Sequence, residues 1–325
     1  MQSNLSPSTS LAAGLGSGGP DDRPLDLSGV RTRRFSEQAI HAVLFFCGAI
    51  SILTTVGIVV ILLTQALSFF ARIPVGDFLF KSHWTPGVSR TPDYGVLGLV
   101  AGTVITAVIA MAVAIPLGLA SAIYLSEYAR PRVRSILKPA IELLAGVPTI
   151  VYGYFALTFI TPELVRRLFP GAAPQNGLTA GLAVGILIIP LVASLSEDAM
   201  RAVPRALREG GYALGATKLE VALKIVFPAA FSGVVAASIL AVSVAIGETM
   251  IVTLAGGSKP TASGDPLGQM QTMTAAIVGI FVGDEPRGTT TYYSLFAIGL
   301  LLFMLTLALN IVSQWIAGRF REVYE

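Results

Sequence analysis

Few side chains in this sequence can do chemistry inside a membrane, and their positions narrow what that chemistry could be. Glu248 follows 23 residues without a charge, Ile225 to Gly247. A carboxylate at such depth is costly unless it faces a cavity or pairs with a partner. It cannot itself attract an anion. It can hold an arginine, from this chain or another, in a geometry that receives anionic oxygens, or it can shape a gate by its charge; the plainer alternative is a solvated residue at the outer end of its helix. Thr249 follows directly. In an earlier apolar run, Pro148 and the glycines Gly146 and Gly153 flank Thr149 and Tyr152. Such breaks expose hydroxyls to a transport path, or else serve close helix packing. His41 and His83 are the only histidines, one at a membrane edge and one in a loop, which leaves no buried nucleophile or metal ligand set. The single cysteine, Cys47, excludes a disulfide framework within the chain and a cysteine-ligated metal, and is read as packing. No Gly-x-x-x-x-Gly-Lys-Ser/Thr cradle is present, so the chain has no ATP site of its own.

The elements that must position these residues follow from composition. Of 325 residues 54% are hydrophobic and 13% charged, against about 25% charged in soluble domains, and the mean hydropathy is +0.74. A water-soluble globule is excluded. Six uncharged runs, Val43 to Ala71, Tyr94 to Ser126, Leu143 to Thr161, Leu168 to Ser196, Ile225 to Gly247 and Gly288 to Gly318, are each long enough to span a bilayer. Backbone polar groups in hydrocarbon must be satisfied within a helix or a closed barrel, and no alternating strands of about 10 residues are seen. The expected class is an all-α integral membrane protein with six transmembrane helices. Residues 1–34, rich in Ser, Gly and Pro, read as a disordered cytoplasmic tail, and 35–325 as the transmembrane domain. The first strong apolar run lies too far from the start for a cleaved signal peptide.

With the N-terminus inside, fifteen Lys and Arg fall on the cytoplasmic side and seven outside, which favours both termini in the cytoplasm. The net charge of +3 is thereby accounted for without nucleic acid. Phe78, Phe80, Trp84, Pro86, Pro92 and Tyr94, between the first two spans, suit an ordered cap at the outer membrane interface. Pro116, Pro148 and Pro190 are expected to interrupt three spans buried in a bundle. Glu142 is expected to pair with Lys138.

The loop 196–228 is too regular to be a floppy connector. Ser194 with Glu197, and Thr217 with Glu220, have capping-box spacing, and two short helices joined around Gly215 follow. Leu219, Leu223 and Val226 share one face, which must be covered by the protein's own spans or by a partner.

This loop resembles the EAA motif of ABC-transporter permeases: Glu209-Gly210-Gly211, three residues, Gly215, nine residues, Ile225, then Phe227-Pro228. Gly210 and Gly211 replace the two alanines and Phe227 a leucine. The resemblance implies a type I importer bundle and a coupling helix, with Glu209, Gly210, Gly211, Ala213, Leu214, Gly215, Ala216, Thr217 and Lys218 at the contact with a cytoplasmic ATPase subunit. ATP and Mg would be bound by that partner. Gly146-Val147-Pro148-Thr149-Ile150-Val151-Tyr152-Gly153, Gly247-Glu248-Thr249-Met250 and Met270-Gln271-Thr272-Met273-Thr274 look like phosphate importer permeases of the PstC type, as do Trp84-Thr85-Pro86 and Tyr94-Gly95-Val96-Leu97-Gly98. That likeness implies a PstA-like second permease, two PstB-like ATPase subunits, a PstS-like external phosphate-binding protein, surrounding lipid, a place in the bacterial inner membrane, and Glu248, Thr249, Thr149 and Tyr152 along the path. The arginine common one turn before this glutamate in the family is Val244 here. The alternatives are a permease for another oxyanion, sulfate or molybdate, and a homo-oligomeric channel.

Overall fold

The computed structural model describes residues 28–87, 92–260 and 264–319. The chain divides into two units, one ending at Ile58 and the other beginning at Val59. Most of the expected disordered tail lies outside the described residues. Helix α1 (Ser28–Phe70) runs through both units. In the first, Phe45, Phe46, Ile52 and Leu53 are exposed, as is Cys47. The packing role expected of Cys47 therefore fails within this chain: a helix apolar all round has no inward face to prefer.

In the second unit the end of α1, α2 (Val75–Phe80) and an antiparallel bridge between Trp84 and Tyr94 build the expected cap. Phe69, Phe78, Trp84 and Tyr94 are buried in edge-to-face contacts, while Phe80 points outward. Helix α3 (Leu97–Ile123) continues into a π-helical turn, Tyr124–Tyr128. Next come α4 (Pro131–Ala145), α5 (Thr149–Phe155), a π-helical stretch Ala156–Val165 and α6 (Arg166–Leu168). The axis turns by 86° between Ala145 and Thr149. The fourth span is α7 (Gly177–Ala202), which starts nine residues later than its apolar run because Asn176 caps it, accepting from the Thr179 N–H at 2.7 Å.

Beyond α7 lie α8 (Arg205–Ala213), α9 (Lys218–Glu220), a π-helical stretch Val221–Val226 and α10 (Phe227–Ala229), then a 73° bend into α11 (Phe231–Gly247). Two short helices, α12 (Met250–Ala255) and α13 (Met273–Val282), precede α14 (Thr290–Arg319). Among the described residues four helices are long and apolar enough to cross a membrane alone, and up to six spans result when each bent pair is counted as one.

The spine is α3 against α7, around Ala107, Ala110, Ala114, Ala183, Val184, Ile188 and Val192. Glycines let the backbones approach: a Cβ at Gly181 would lie 2.6 Å from Ile109, and one at Gly185 2.9 Å from the Ala110 carbonyl oxygen. Only Pro148 among the three expected interruptions ends a helix. Pro116 and Pro190 sit inside α3 and α7, which run through them, because a span packed among neighbours tolerates one missing N–H.

Candidate functional site

Two places carry the residues singled out from sequence. The first joins the helix breaks of the third and fifth spans. At Glu248 the backbone leaves the helix (φ −61°, ψ 135°), and its carboxylate turns back to accept from the N–H groups of Met250 at 3.0 Å and Ile251 at 3.2 Å. Glu248 is 9% exposed. The costly buried charge is thus met by the open N–H groups of α12, whose positive end favours an anion. The solvated alternative does not hold. Thr249 donates from its hydroxyl to the Gly247 carbonyl at 3.1 Å.

The motif at 270–274 meets this break. The Thr274 hydroxyl donates to the Glu248 carbonyl at 2.7 Å, Thr272 caps α13, and the Met273 N–H donates to Thr103 Oγ1 of α3 at 3.0 Å. Gly102 lets the chain in, since a Cβ there would lie 2.5 Å from the Gln271 carbonyl oxygen. The far end of α12 is satisfied by the segment before α7: Gln175 Nε2 donates to the Leu254 carbonyl and the Asn176 N–H to that of Ala255, each at 2.8 Å.

The break at Pro148 lies beside the same short helix. A Cβ at Gly153 would come within 2.9 Å of Leu254 Cδ1 and 3.3 Å of Ile251 Cα, so α5 and α12 touch almost backbone to backbone. The Tyr152 hydroxyl donates to the Leu144 carbonyl at 2.9 Å, one of the acceptors freed where α4 ends. Thr149 opens α5 and is half-buried. The two readings of this segment, hydroxyl-bearing break and tight packing, coexist: Tyr152 stabilises the break and Gly153 makes the contact.

The second place is the hairpin of α8 and α9. Gly215 turns the chain at φ +84° and a substituent there would meet open space, while the neighbouring Leu214 is 90% exposed. Glu209, Gly210, Ala213, Thr217 and Lys218 are exposed and Ala216 is half-buried. Gly211 is buried against the other arm, where a Cβ would lie 2.5 Å from Ile225 Cδ1. This explains one of the two glycines that replace alanine; nothing in the structure requires Gly210. The Thr217 and Glu220 capping box is present. The Thr217 N–H and the Lys224 ammonium hold the Glu220 carboxyl down to about 2.

Three expectations at this end are corrected. Ser194 and Glu197 form no cap, because α7 continues to Ala202. Glu197, 0% exposed, instead accepts from Arg134 Nε at 2.8 Å and Lys138 Nζ at 2.7 Å, which ties α4 to α7. Lys138 therefore pairs with Glu197 and Asp198 rather than Glu142, whose carboxylate is approached by Ser194 Oγ at 3.5 Å. Finally, Val226 is buried but Leu219 and Leu223 are exposed; Val221 and Ala222 take the inward positions. The π-helical winding of Val221–Val226 shifts which residues face the bundle, and a 3.6-residue reading misses that. Sequence reasoning missed Asn176 altogether and gave Glu197 a capping role in place of its ion pairs. The signal for Glu197 was present, an acid directly after an uncharged run.

Comparison with known proteins bears on the family and the fold. The family model described as "Binding-protein-dependent transport system inner membrane component" matches residues 114–322. The "Probable ABC transporter permease protein YqgH" of Bacillus subtilis (strain 168) is 31% identical over 296 residues, 90% of this chain and 94% of its own length. A "Phosphate transport system permease protein PstC" of Mesorhizobium japonicum is 33% identical over 310 residues, 88% of this chain and 92% of its own. Among solved structures, an inward-facing MetNI methionine ABC transporter superposes with a TM-score of 0.52 at 17% identity, covering 70% of this chain and 95% of that one. The last similarity concerns the fold alone.

Proposed function

The chain belongs to the family of binding-protein-dependent transport system inner membrane components, multi-pass permease subunits of ABC transporters, and we propose that it is the permease subunit of an ATP-driven phosphate importer of the PstC type. The observation that carries the reading is the hairpin. Its root is packed against the bundle through Val221, Ala222 and Val226, while its tip offers Leu214 to solvent. An apolar side chain held out on a rigid turn is built to enter a groove on another protein.

In this reading Glu209, Gly210, Ala213, Leu214, Gly215, Ala216, Thr217 and Lys218 meet a cytoplasmic ATPase subunit, and Gly211 keeps the two arms together. Two PstB-like subunits bind ATP and Mg; this chain supplies no ATP site. A PstA-like permease completes the path, and a PstS-like protein delivers phosphate from outside. Both termini lie in the cytoplasm. Glu248 and Thr249 at one break and Thr149 and Tyr152 at the other border the path where α5 and α12 meet. Discontinuous helices are a usual way to place polar groups at mid-membrane. With Val244 at the position one turn before Glu248, the cationic contacts to phosphate come from the second permease or are replaced by backbone N–H groups and hydroxyls.

The test is uptake of labelled phosphate in cells lacking other importers, with this chain and its partner subunits expressed. Saturable, ATP-dependent uptake that excess sulfate and molybdate leave unchanged is expected. Uptake abolished by either competitor reassigns the substrate, and conduction without any ATPase subunit would replace the importer by a channel.

A further inference from the structure

Arg208, in α8, stands one residue before Glu209 and is tied to two other elements at once. Its Nη1 donates to the Val203 carbonyl at 2.6 Å and its Nη2 to the Met200 carbonyl at 2.8 Å, both at the open C-terminal end of α7. Its Nε and Nη2 donate to Glu127 Oε1 at 3.2 and 3.0 Å. Glu127 lies in the π-helical turn that ends α3, and its carboxylate also accepts from Ser126 Oγ at 2.8 Å. The pair is nearly dry, with side chains 16% and 5% exposed. A second tie runs parallel to it, the Lys218 ammonium over the Tyr128 ring at 5.4 Å.

The apolar contacts of the hairpin are of a different kind. Leu207, Val221 and Val226 pack around Met200, Val203 and Ala122, and such contacts are non-directional and can slide. A guanidinium forked onto a carboxylate and two carbonyls fixes both distance and angle, and in a dry setting pulling it apart leaves uncompensated charge. Displacement of the hairpin would therefore be passed through this joint to the ends of α3 and α7, the two spans of the spine.

We propose that Arg208 and Glu127 are the pin that converts hairpin movement into movement of α3 and α7. They are positioning residues, acting through the spans rather than on the substrate. The proposal rests on the reading of the chain as an ATP-coupled permease.

The test uses the complete complex, reconstituted in proteoliposomes with its phosphate-binding protein, and measures ATPase-subunit retention, ATP hydrolysis and phosphate delivered per ATP. For Glu127→Gln the ATPase subunits should stay bound and hydrolyse ATP within about twofold of wild type, while phosphate per ATP falls about tenfold, the scale of one ion-pair coupling. Glu127→Asp should recover most of the ratio. Glu127→Gln combined with Arg208→Gln should be no worse than the weaker single variant, since both remove one joint. An unchanged ratio in Glu127→Gln, strictly additive losses in the double variant, or a loss explained wholly by dissociated ATPase subunits would each overturn the pin. A wild-type complex that hydrolyses ATP yet moves no phosphate, sulfate or molybdate would instead overturn the importer reading, a failure visible before any variant is made.

Discussion

Two buried carboxylates show how one residue type solves the same problem in two ways. Glu248 meets the N–H groups of the short helix that follows it and so stabilises a break in a span. Glu197 meets two cations that arrive from α4. Replacing Glu197 by Ala would leave Arg134 without its carboxylate and Lys138 with Asp198 alone, the two cations being only 27% and 20% exposed. The expected cost is about 3 kcal/mol, read as a lower unfolding temperature in detergent, with Glu197→Gln intermediate; an unchanged melting temperature would show that solvent already screens the cluster. Depth in the sequence was sufficient to single out Glu248. The partners of both acids lay beyond reach, because for Glu197 they are 63 and 59 residues away in the chain, and for Glu248 they are backbone groups released only once the helix is broken.

At the scale of elements the breaks matter more than the spans. Three motifs read separately from sequence converge on α12: Gly153 packs on it, Glu248 caps it and Thr274 fastens the Glu248 carbonyl, while Gly102, which no motif singled out, admits the segment that carries Gln271. Gly153→Leu should drive α5 from α12, since its Cβ would already lie 2.9 Å from Leu254 Cδ1 and 3.3 Å from Ile251 Cα and the branch beyond it must enter the same seam. Overpacking of this kind costs about 1–3 kcal/mol, and the expected outcome is loss of uptake with the protein still inserted in the membrane and still bound to its ATPase subunits. Gly153→Ala should be milder, because Leu254 can rotate aside. Full uptake in Gly153→Leu would mean that the seam between the half-helices opens freely. Pro116 and Pro190, equally prominent in the sequence, break nothing. The difference lies in context: Pro148 follows Gly146 and is relieved by the Tyr152 hydroxyl on the Leu144 carbonyl, whereas the other two are carried by well-packed helices.

For the whole molecule, the apolar surface left uncovered is extensive, including much of α1, α4, α5 and α14. In the proposed assembly this is the surface that lipid and a second permease would cover. Basic residues gather on the elements around the hairpin, at Arg130, Arg132, Arg134, Lys138, Arg201, Arg205 and Arg208, and the proposed orientation, which follows the positive-inside rule, would put that end in the cytoplasm. With Cys47 replaced by Ser, a membrane-impermeant maleimide should label Leu214→Cys only in inverted vesicles and Phe281→Cys only in right-side-out ones. The reverse pattern would place the hairpin outside, where no ATPase subunit could reach it. Both target side chains are exposed.

The sequence by itself determined the all-helical class, the six apolar runs, the hairpin with its turn at Gly215 and cap at Thr217, and the family, because hydropathy, capping and motif spacing are local properties that survive without knowledge of neighbours. Tertiary structure alone decided where the third and fourth spans begin, that Glu248 caps a half-helix, that Glu197 joins α7 to α4, and that Leu219 and Leu223 face outward. Each of these depends on which distant group satisfies a freed carbonyl, an open N–H or a buried charge, and on π-helical turns that shift a face without changing a residue.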